Sequence, residues 1–278
     1  MRLFKDKKNL KIRVIAFICL FLAAIIFLAP YFWMLSNSFK STKEILLEST
    51  NMLPKQFTVS GYVKVLTKSP FFSWMRNSLL VTVVDTLVIL FTSSIIGFVL
   101  SKYKFKLNKF IFTLILLTMM MPTAAMMIPN FLLISKLGWY DKIISLIFPT
   151  FINAFGIFLC KQFIDDLPKE LFESAMLDNA SDFKIYYRIV LPGIRPALGS
   201  LTIFTFLGIW NDYQTPLIYL NSAKNMTLPL AMSYFSTQHL SDLSATMAAA
   251  SLIMIPASVV FIIFQKQFIK GISMTGMK

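Results

Sequence analysis

Six runs of roughly twenty mainly apolar residues dominate this chain, and about that many residues carry a helix across the hydrocarbon of a bilayer. They extend from about Ile12 to Leu35, Ser78 to Leu100, Phe110 to Ile134, Ile143 to Phe163, Ala197 to Tyr219 and Leu243 to Phe264. In lipid every backbone N–H and C=O needs a partner within the protein, so runs of this length predict helices. The expected fold class is an all-α membrane protein of six transmembrane helices, a single domain over residues 1–278. Composition agrees, because 56% of the residues are hydrophobic and only 14% are charged, far from soluble proportions. The first run follows Arg2, Lys5, Lys7, Lys8, Lys11 and Arg13 as a secretory signal would. Its core is too long for one and no Ala-x-Ala site follows, so we read an uncleaved span.

A net charge of +14 suggests nucleic acid only where the basic residues share one patch. Here they lie in clusters between the apolar runs, which is how topology determinants are distributed, so no nucleic-acid partner is expected. Counted loop by loop, 18 Lys and Arg fall on the side of the two termini, of the loop after the second span and of the loop around Glu173; nine fall on the other. The positive-inside rule therefore predicts cytoplasmic termini and a cytoplasmic Asp178, with Thr50 and Ser236 outside. Trp33, Trp74, Trp139 and Trp210 then all lie at or toward outer span ends, where interfacial aromatics belong.

The outer segment from Ser36 to Asn77 has too little apolar content for a core of its own and predicts one short helix around Ser60 to Thr67. Asn77 there reads as a helix cap. Cys19 and Cys160 lie inside apolar runs without metal-ligand spacing and read as packing residues. The single histidine, His239, falls in an outer loop. No nucleophile–base or metal constellation is visible, and no Gly-x-x-x-x-Gly-Lys-Ser/Thr loop cradles phosphate, so no enzyme, no metal and no cofactor are expected.

Three features carry function. Pro122 and Pro129, with Asn130 beside the second, predict a kinked third span facing the interior, since a proline-freed carbonyl needs a partner there. Asp85 and Asp212 are the carboxylates well inside apolar runs, costly in lipid unless they face a cavity or a partner. For Asp85 the readings are contact with substrate, contact with a neighbouring helix, or simple pairing with a neighbouring subunit. Asp212 sits in Trp210-Asn211-Asp212-Tyr213-Gln214, amides, a carboxylate and rings suited to sugar hydroxyls and sugar faces. Asn211, Asp212, Tyr213, Gln214 and Asn130 are thus candidates for a substrate pathway or for a structural cluster. Last, the stretch from Leu167 to Pro192 reads as helix, turn, helix: Pro168 in a first turn, Leu171, Phe172, Ala175 and Met176 on one face, Asn179 as the stop and Ser181 as the next cap.

That last stretch resembles the signature loop of membrane subunits in ATP-driven, binding-protein-dependent importers. The loop runs Glu-Ala-Ala, three residues, Gly, nine residues, Ile-x-Leu-Pro. Here Glu173-Ser174-Ala175, Asn179 and Ile189-Val190-Leu191-Pro192 keep the spacing, with serine and asparagine as mild departures. Asn77-Ser78-Leu79, Leu137-Gly138, the Asn211 cluster, Thr227-Leu228-Pro229-Leu230 and the closing Phe264-Gln265-Lys266 with Gly276-Met277-Lys278 are similar to the carbohydrate branch. The resemblance implies a permease of the bacterial plasma membrane that imports sugar. Its implied partners are a second permease, a cytoplasmic ATPase dimer, an extracytoplasmic solute-binding protein and membrane lipid. It also implies ATPase coupling through Glu173, Ser174, Ala175, Asp178, Asn179, Ala180, Leu191 and Pro192. An ion-coupled secondary carrier, or an importer permease for a non-sugar solute, are the alternative readings.

Overall fold

The computed structural model describes residues 7–48, 51–232 and 242–275, with side-chain surroundings for 13–48, 51–232 and 242–266. Thr50, Ser236, His239 and the closing Gly276-Met277-Lys278 lie outside them, as do Arg2 and Lys5. The regular secondary structure among the described residues is helical, without strands. They divide into two compact units, one running through Ser69 and resuming up to Ile253, the other starting at Pro70 and resuming at Met254.

The first unit holds α1 (Lys7–Asn37), α2 (Thr42–Leu47), α3 (Ser60–Lys68) and the first turns of a long last helix, α14 (Leu243–Thr275). The helix expected around Ser60 to Thr67 is therefore present. Ser41 caps α2 by accepting the Glu44 N–H at 3.2 Å. At Gly61 an added Cβ would stand 2.6 Å from the Ser244 carbonyl oxygen, so α3 reaches α14 only because the residue is glycine. Polar ties complete the junction: Tyr62 to Ser251 at 2.9 Å, Lys64 to Asp242 at 2.6 Å, and the Ser244 hydroxyl to the Lys40 carbonyl at 2.7 Å. Cys19 is exposed on α1, contrary to the packing role expected of it, because α1 leaves its apolar sides uncovered by this chain.

The second unit is organised by α4 (Phe71–Lys102), 32 residues and about 48 Å of helix. It starts seven residues before the apolar run does, with Pro70 at its N-cap. Asn77 is consequently no cap. It lies inside α4, and its amide donates to the carbonyls of Lys224 at 2.8 Å and Met226 at 3.0 Å. Against α4 packs α8 (Ala154–Asp165), at a distance set by Gly97, whose absent Cβ would meet the Lys161 nitrogen at 3.0 Å and Cys160 Cβ at 3.1 Å. Cys160 is fully buried in that seam, as expected.

The third, fourth and fifth runs are each discontinuous. α5 (Asn108–Met119) and α6 (Thr123–Lys136) meet at 101°, so Pro122 ends one helix and starts another where only a kink was expected. α7 (Ile144–Ile147) and a 3₁₀ turn precede α8, which Asn153 caps by accepting the Gly156 N–H at 2.7 Å. α12 (Arg195–Trp210) stops before Asn211, and α13 (Gln214–Tyr219) resumes three residues later. By length and composition, four helical segments among the described residues suffice to cross a membrane, or up to six when each bent pair counts as one.

Candidate functional site

Two regions of the second unit carry the candidate residues. The first is the signature loop, folded as α9 (Lys169–Leu177), α10 (Asp182–Ile185), one wider π-helical turn (Tyr186–Val190) and α11 (Leu191–Gly193). Pro168 stands at the N-cap of α9, one place earlier than expected. Asp178 is the C-cap and Asn179 has φ +50°, the left-handed geometry for which asparagine is a usual substitute for glycine. The Asn179 N–H reaches the Met176 carbonyl at 3.0 Å and the Ala180 N–H the Ala175 carbonyl at 2.9 Å, the paired bonds of a Schellman stop. Ser181 then caps α10, accepting the Lys184 N–H at 3.4 Å.

This knob is anchored by a buried core. Ala175, Ile185, Tyr186, Val190 and Ile194 pack with Phe98 of α4 and with Cys160 and Ile164 of α8, and Leu191 and Ala180 lie against the same cluster. Tyr186 shares a 2.7 Å hydrogen bond with Ser94, and Asp182 pairs with Lys102 and accepts from Tyr103. The outward surface is different. Glu173, Ser174, Asp178 and Pro192 are exposed, and beside them stand large apolar groups: Leu177 at 85% exposure, Phe183 at 76% and Tyr187 at 64%, the two rings stacked. Apolar side chains left out to this extent on a well-anchored element mark a surface that something else covers.

The second region is a cavity of about 690 Å³ bounded by α6, α7, the start of α8 and α13. Asn130, Asp212 and Gln214 line it together, from segments more than eighty residues apart. Asn211 and Tyr213 do not: the chain turns at the break, and the Asn211 amide is spent on the Leu207 carbonyl at 2.8 Å. Asp212 is half-buried and its Oδ1 accepts the Thr215 N–H at 3.2 Å, so it also caps α13. Thr118, Thr123, Ser145, Thr150, Asn153, Thr215 and Tyr219 complete the polar part of the wall and were missed by the sequence reading. Asn153, a few residues after Pro149 in an apolar run, was the available clue to the fourth break.

Behind this space lies a cavity of about 60 Å³ that shares Leu146, Thr150, Asp212 and Thr215 with it and is closed by Asp85 and Thr227 among others. Asp85 is 1% exposed within the chain by itself, which overturns the expected pairing with a neighbouring subunit: its own helices already enclose it.

Beside Tyr219 of the larger cavity's wall, Asp141 ties two loops. It holds φ +57°, its N–H donates to the Tyr219 carbonyl at 2.8 Å, and its carboxylate accepts the N–H groups of Asn221 at 2.9 Å and Ser222 at 2.8 Å and the Ser222 hydroxyl. Burial alone would raise this carboxyl; the Ser222 and Asn221 bonds outweigh it and hold it at about 2, below the ordinary 3.8. Because the folded value lies below the unfolded one, the tie stabilises fully above about pH 4 and fades as pH falls toward 2. Asp141→Asn tolerates the positive φ but drops the charge, and is expected to cost about 1 kcal/mol at neutral pH once solvent screening is allowed for. In thermal unfolding the gap between wild type and variant should close between pH 4 and 2; a constant gap would refute the tie.

Described residues that are helical without strands, several helices long and apolar enough to cross a membrane, broken helices around a polar cavity and an anchored knob at one end of α4 are together the features of a membrane permease. The chain belongs to the family of binding-protein-dependent transport system inner membrane components, which matches residues 89–274. It is 34% identical over 271 residues to the inner membrane ABC transporter permease protein YcjP of Escherichia coli (strain K12), covering 95% of this chain and 96% of that protein. It is 32% identical over 258 residues to the arabinooligosaccharides transport system permease protein AraQ of Bacillus subtilis (strain 168), covering 92% of each. In fold it is similar to a chain of a bacterial ABC transporter involved in the import of the acidic polysaccharide alginate, with TM-score 0.82, 23% identity, and coverage of 95% of this chain and 99% of that one.

Proposed function

We propose that this permease subunit forms half of the translocation pathway of an ATP-driven sugar importer in a bacterial plasma membrane, as one permease domain over its 278 residues. Its partners would be a second permease, an extracytoplasmic solute-binding protein and a cytoplasmic ATPase dimer that hydrolyses the ATP. The observation that carries this reading is the knob: a buried core holds it rigid while Glu173 and the apolar rim of Leu177, Phe183 and Tyr187 face outward. A solvated loop needs neither the anchoring nor the exposed rings. The amide and carboxylate groups of Asn130, Asp212 and Gln214 around one cavity supply the hydrogen bonding a sugar needs, and relatives named for arabinooligosaccharides, diacetylchitobiose and lactose transport support a saccharide cargo.

For orientation, the two ends of α4 are supporting: Trp74 donates to the Ala223 carbonyl at one end, while Lys102 meets Asp182 of the knob at the other. We place the knob in the cytoplasm on the basic-residue count. The test is purification of the chain with its candidate ATPase and binding protein, followed by ATP hydrolysis with and without a panel of oligosaccharides, with a cysteine at Asp178 labelled from either side. Sugar-stimulated hydrolysis and labelling only from inside are expected. Hydrolysis indifferent to every sugar, or labelling from outside, would overturn the sugar and the orientation respectively.

A further inference from the structure

We propose that the small cavity behind the polar passage is a binding site for a monovalent cation of sodium's size, held by Asp85 and Asp212 with the hydroxyls of Thr150, Thr215 and Thr227. The starting point is an imbalance. Asp85 is 1% exposed, and its carboxylate closes no hydrogen bond of normal geometry, since the Thr150 hydroxyl beside it donates to the Ile147 carbonyl at 2.8 Å; the Thr227 hydroxyl lining the same cavity has no partner either. A carboxylate removed from water in this way is costly unless something small and positive stands beside it.

The surroundings narrow what that is. Among the described residues no Lys, Arg or His lines the cavity, so they supply no counter-charge. A neighbouring subunit is shut out by the burial of Asp85 within its own helices. A sugar is shut out by volume, since about 60 Å³ holds about two waters at their liquid share and a saccharide ring needs several times that. A lone proton would neutralise the carboxylate but would leave its second oxygen and the Thr227 hydroxyl without a partner, where an ion would engage both.

The donor set points the same way. It consists of carboxylate and hydroxyl oxygens, hard ligands that suit hard cations, without the imidazole or thiolate that zinc and copper sites favour. Among the described residues no cluster of three or more His, Cys, Asp or Glu side chains exists to hold a multiply charged metal. One wholly buried carboxylate balances one positive charge, and Asp212, half-buried and already accepting from Thr215, adds a further oxygen at the mouth. Thr150, Asp212 and Thr215 border both cavities, so the ion would enter from the passage. Seated there, it would bind α4 to the segment before α8 and to the start of α13, pinning the breaks that shape the passage. This site stands on the geometry of one chain and survives even if the cargo is not a sugar.

The experiment measures the unfolding temperature of the purified complex containing this chain at constant ionic strength in sodium, potassium or choline chloride. A saturable, sodium-dependent rise is expected in wild type and is expected to vanish in Asp85→Asn, which keeps the shape of the side chain and removes its charge. Thr227→Val, which leaves both carboxylates, should move the sodium midpoint upward about tenfold, the effect of one lost buried oxygen ligand. Equal unfolding in sodium and choline would overturn the site. So would a sodium response that persists in Asp85→Asn, or a response to pH alone that Asp85→Asn removes, since that last result would mean that a proton occupies the position.

Discussion

Glu173→Ala is expected to abolish energy-coupled uptake while the chain still folds and inserts, and Glu170→Ala, one turn earlier on the same helix, to be nearly silent. The fold gives both halves of that expectation. Glu173 is exposed on α9 and makes no ion pair among the described residues, so truncating it removes nothing the isolated chain depends on. Exposed charges of this kind contribute about 0 to 1 kcal/mol to folding. At a covered interface the magnitude changes. A carboxylate desolvated against a basic partner costs about 2 to 5 kcal/mol to remove, largely because its partner is left unpaired, and that range weakens docking about thirtyfold to several thousandfold. Leu177→Ala offers an independent reading of the same surface. On a solvated helix, truncating a side chain that is 85% exposed should change nothing; on a docking face it should lower ATPase co-purification in step with Glu173→Ala. Equal transport and equal co-purification for Glu173→Ala, Leu177→Ala and wild type would return the knob to a solvated helix.

Much of this architecture could be read from residue types because membrane helices obey few rules. The apolar runs marked where helices long or apolar enough to cross a membrane lie, and Asn179 and Ser181 announced the stop and restart of the knob, since each residue type supplies locally the geometry or hydrogen bond the turn requires. Pro122 announced an interruption but not its size: a proline removes one backbone bond, whereas the 101° between α5 and α6 is set by what the two helices pack against. Asn77 misled for a similar reason. Asparagine favours caps, yet the aromatic stretch from Phe71 onward extends the helix past the edge of the apolar run, and the amide serves a loop far along the chain. The string Asn211 to Gln214 looked like one polar cluster because it is continuous in sequence. A helix break rotates successive side chains apart, so Asp212 and Gln214 entered the cavity and Asn211 and Tyr213 did not. Asp85 stood out as a carboxylate in an apolar run, but that its own helices bury it is a property of three segments meeting, which no single stretch encodes.

Asp212 is where structural and transport roles meet, and substitutions there should separate them. Its Oδ1 caps α13 through the Thr215 N–H, and the side chain also faces the larger cavity. Asp212→Leu removes both functions. Loss of a cap costs about 1 kcal/mol, and a leucine at the mouth replaces an acceptor for sugar hydroxyls with an apolar wall. Uptake should fall steeply, with a modest drop in unfolding temperature. Asp212→Asn distinguishes the two causes, because asparagine caps a helix as well as aspartate does and still accepts hydrogen bonds, while it carries no charge. If the carboxylate acts on the passage, Asp212→Asn should keep wild-type stability in choline and assemble fully with its partners, yet transport several-fold more slowly. If Asp212 is only a helix cap, Asp212→Asn should transport as wild type does and Asp212→Leu should lose assembly and uptake together. The comparison that decides is therefore uptake per assembled complex. A normal value for Asp212→Asn alongside failed assembly for Asp212→Leu would remove this residue from the pathway and leave Asn130 and Gln214 as its polar lining.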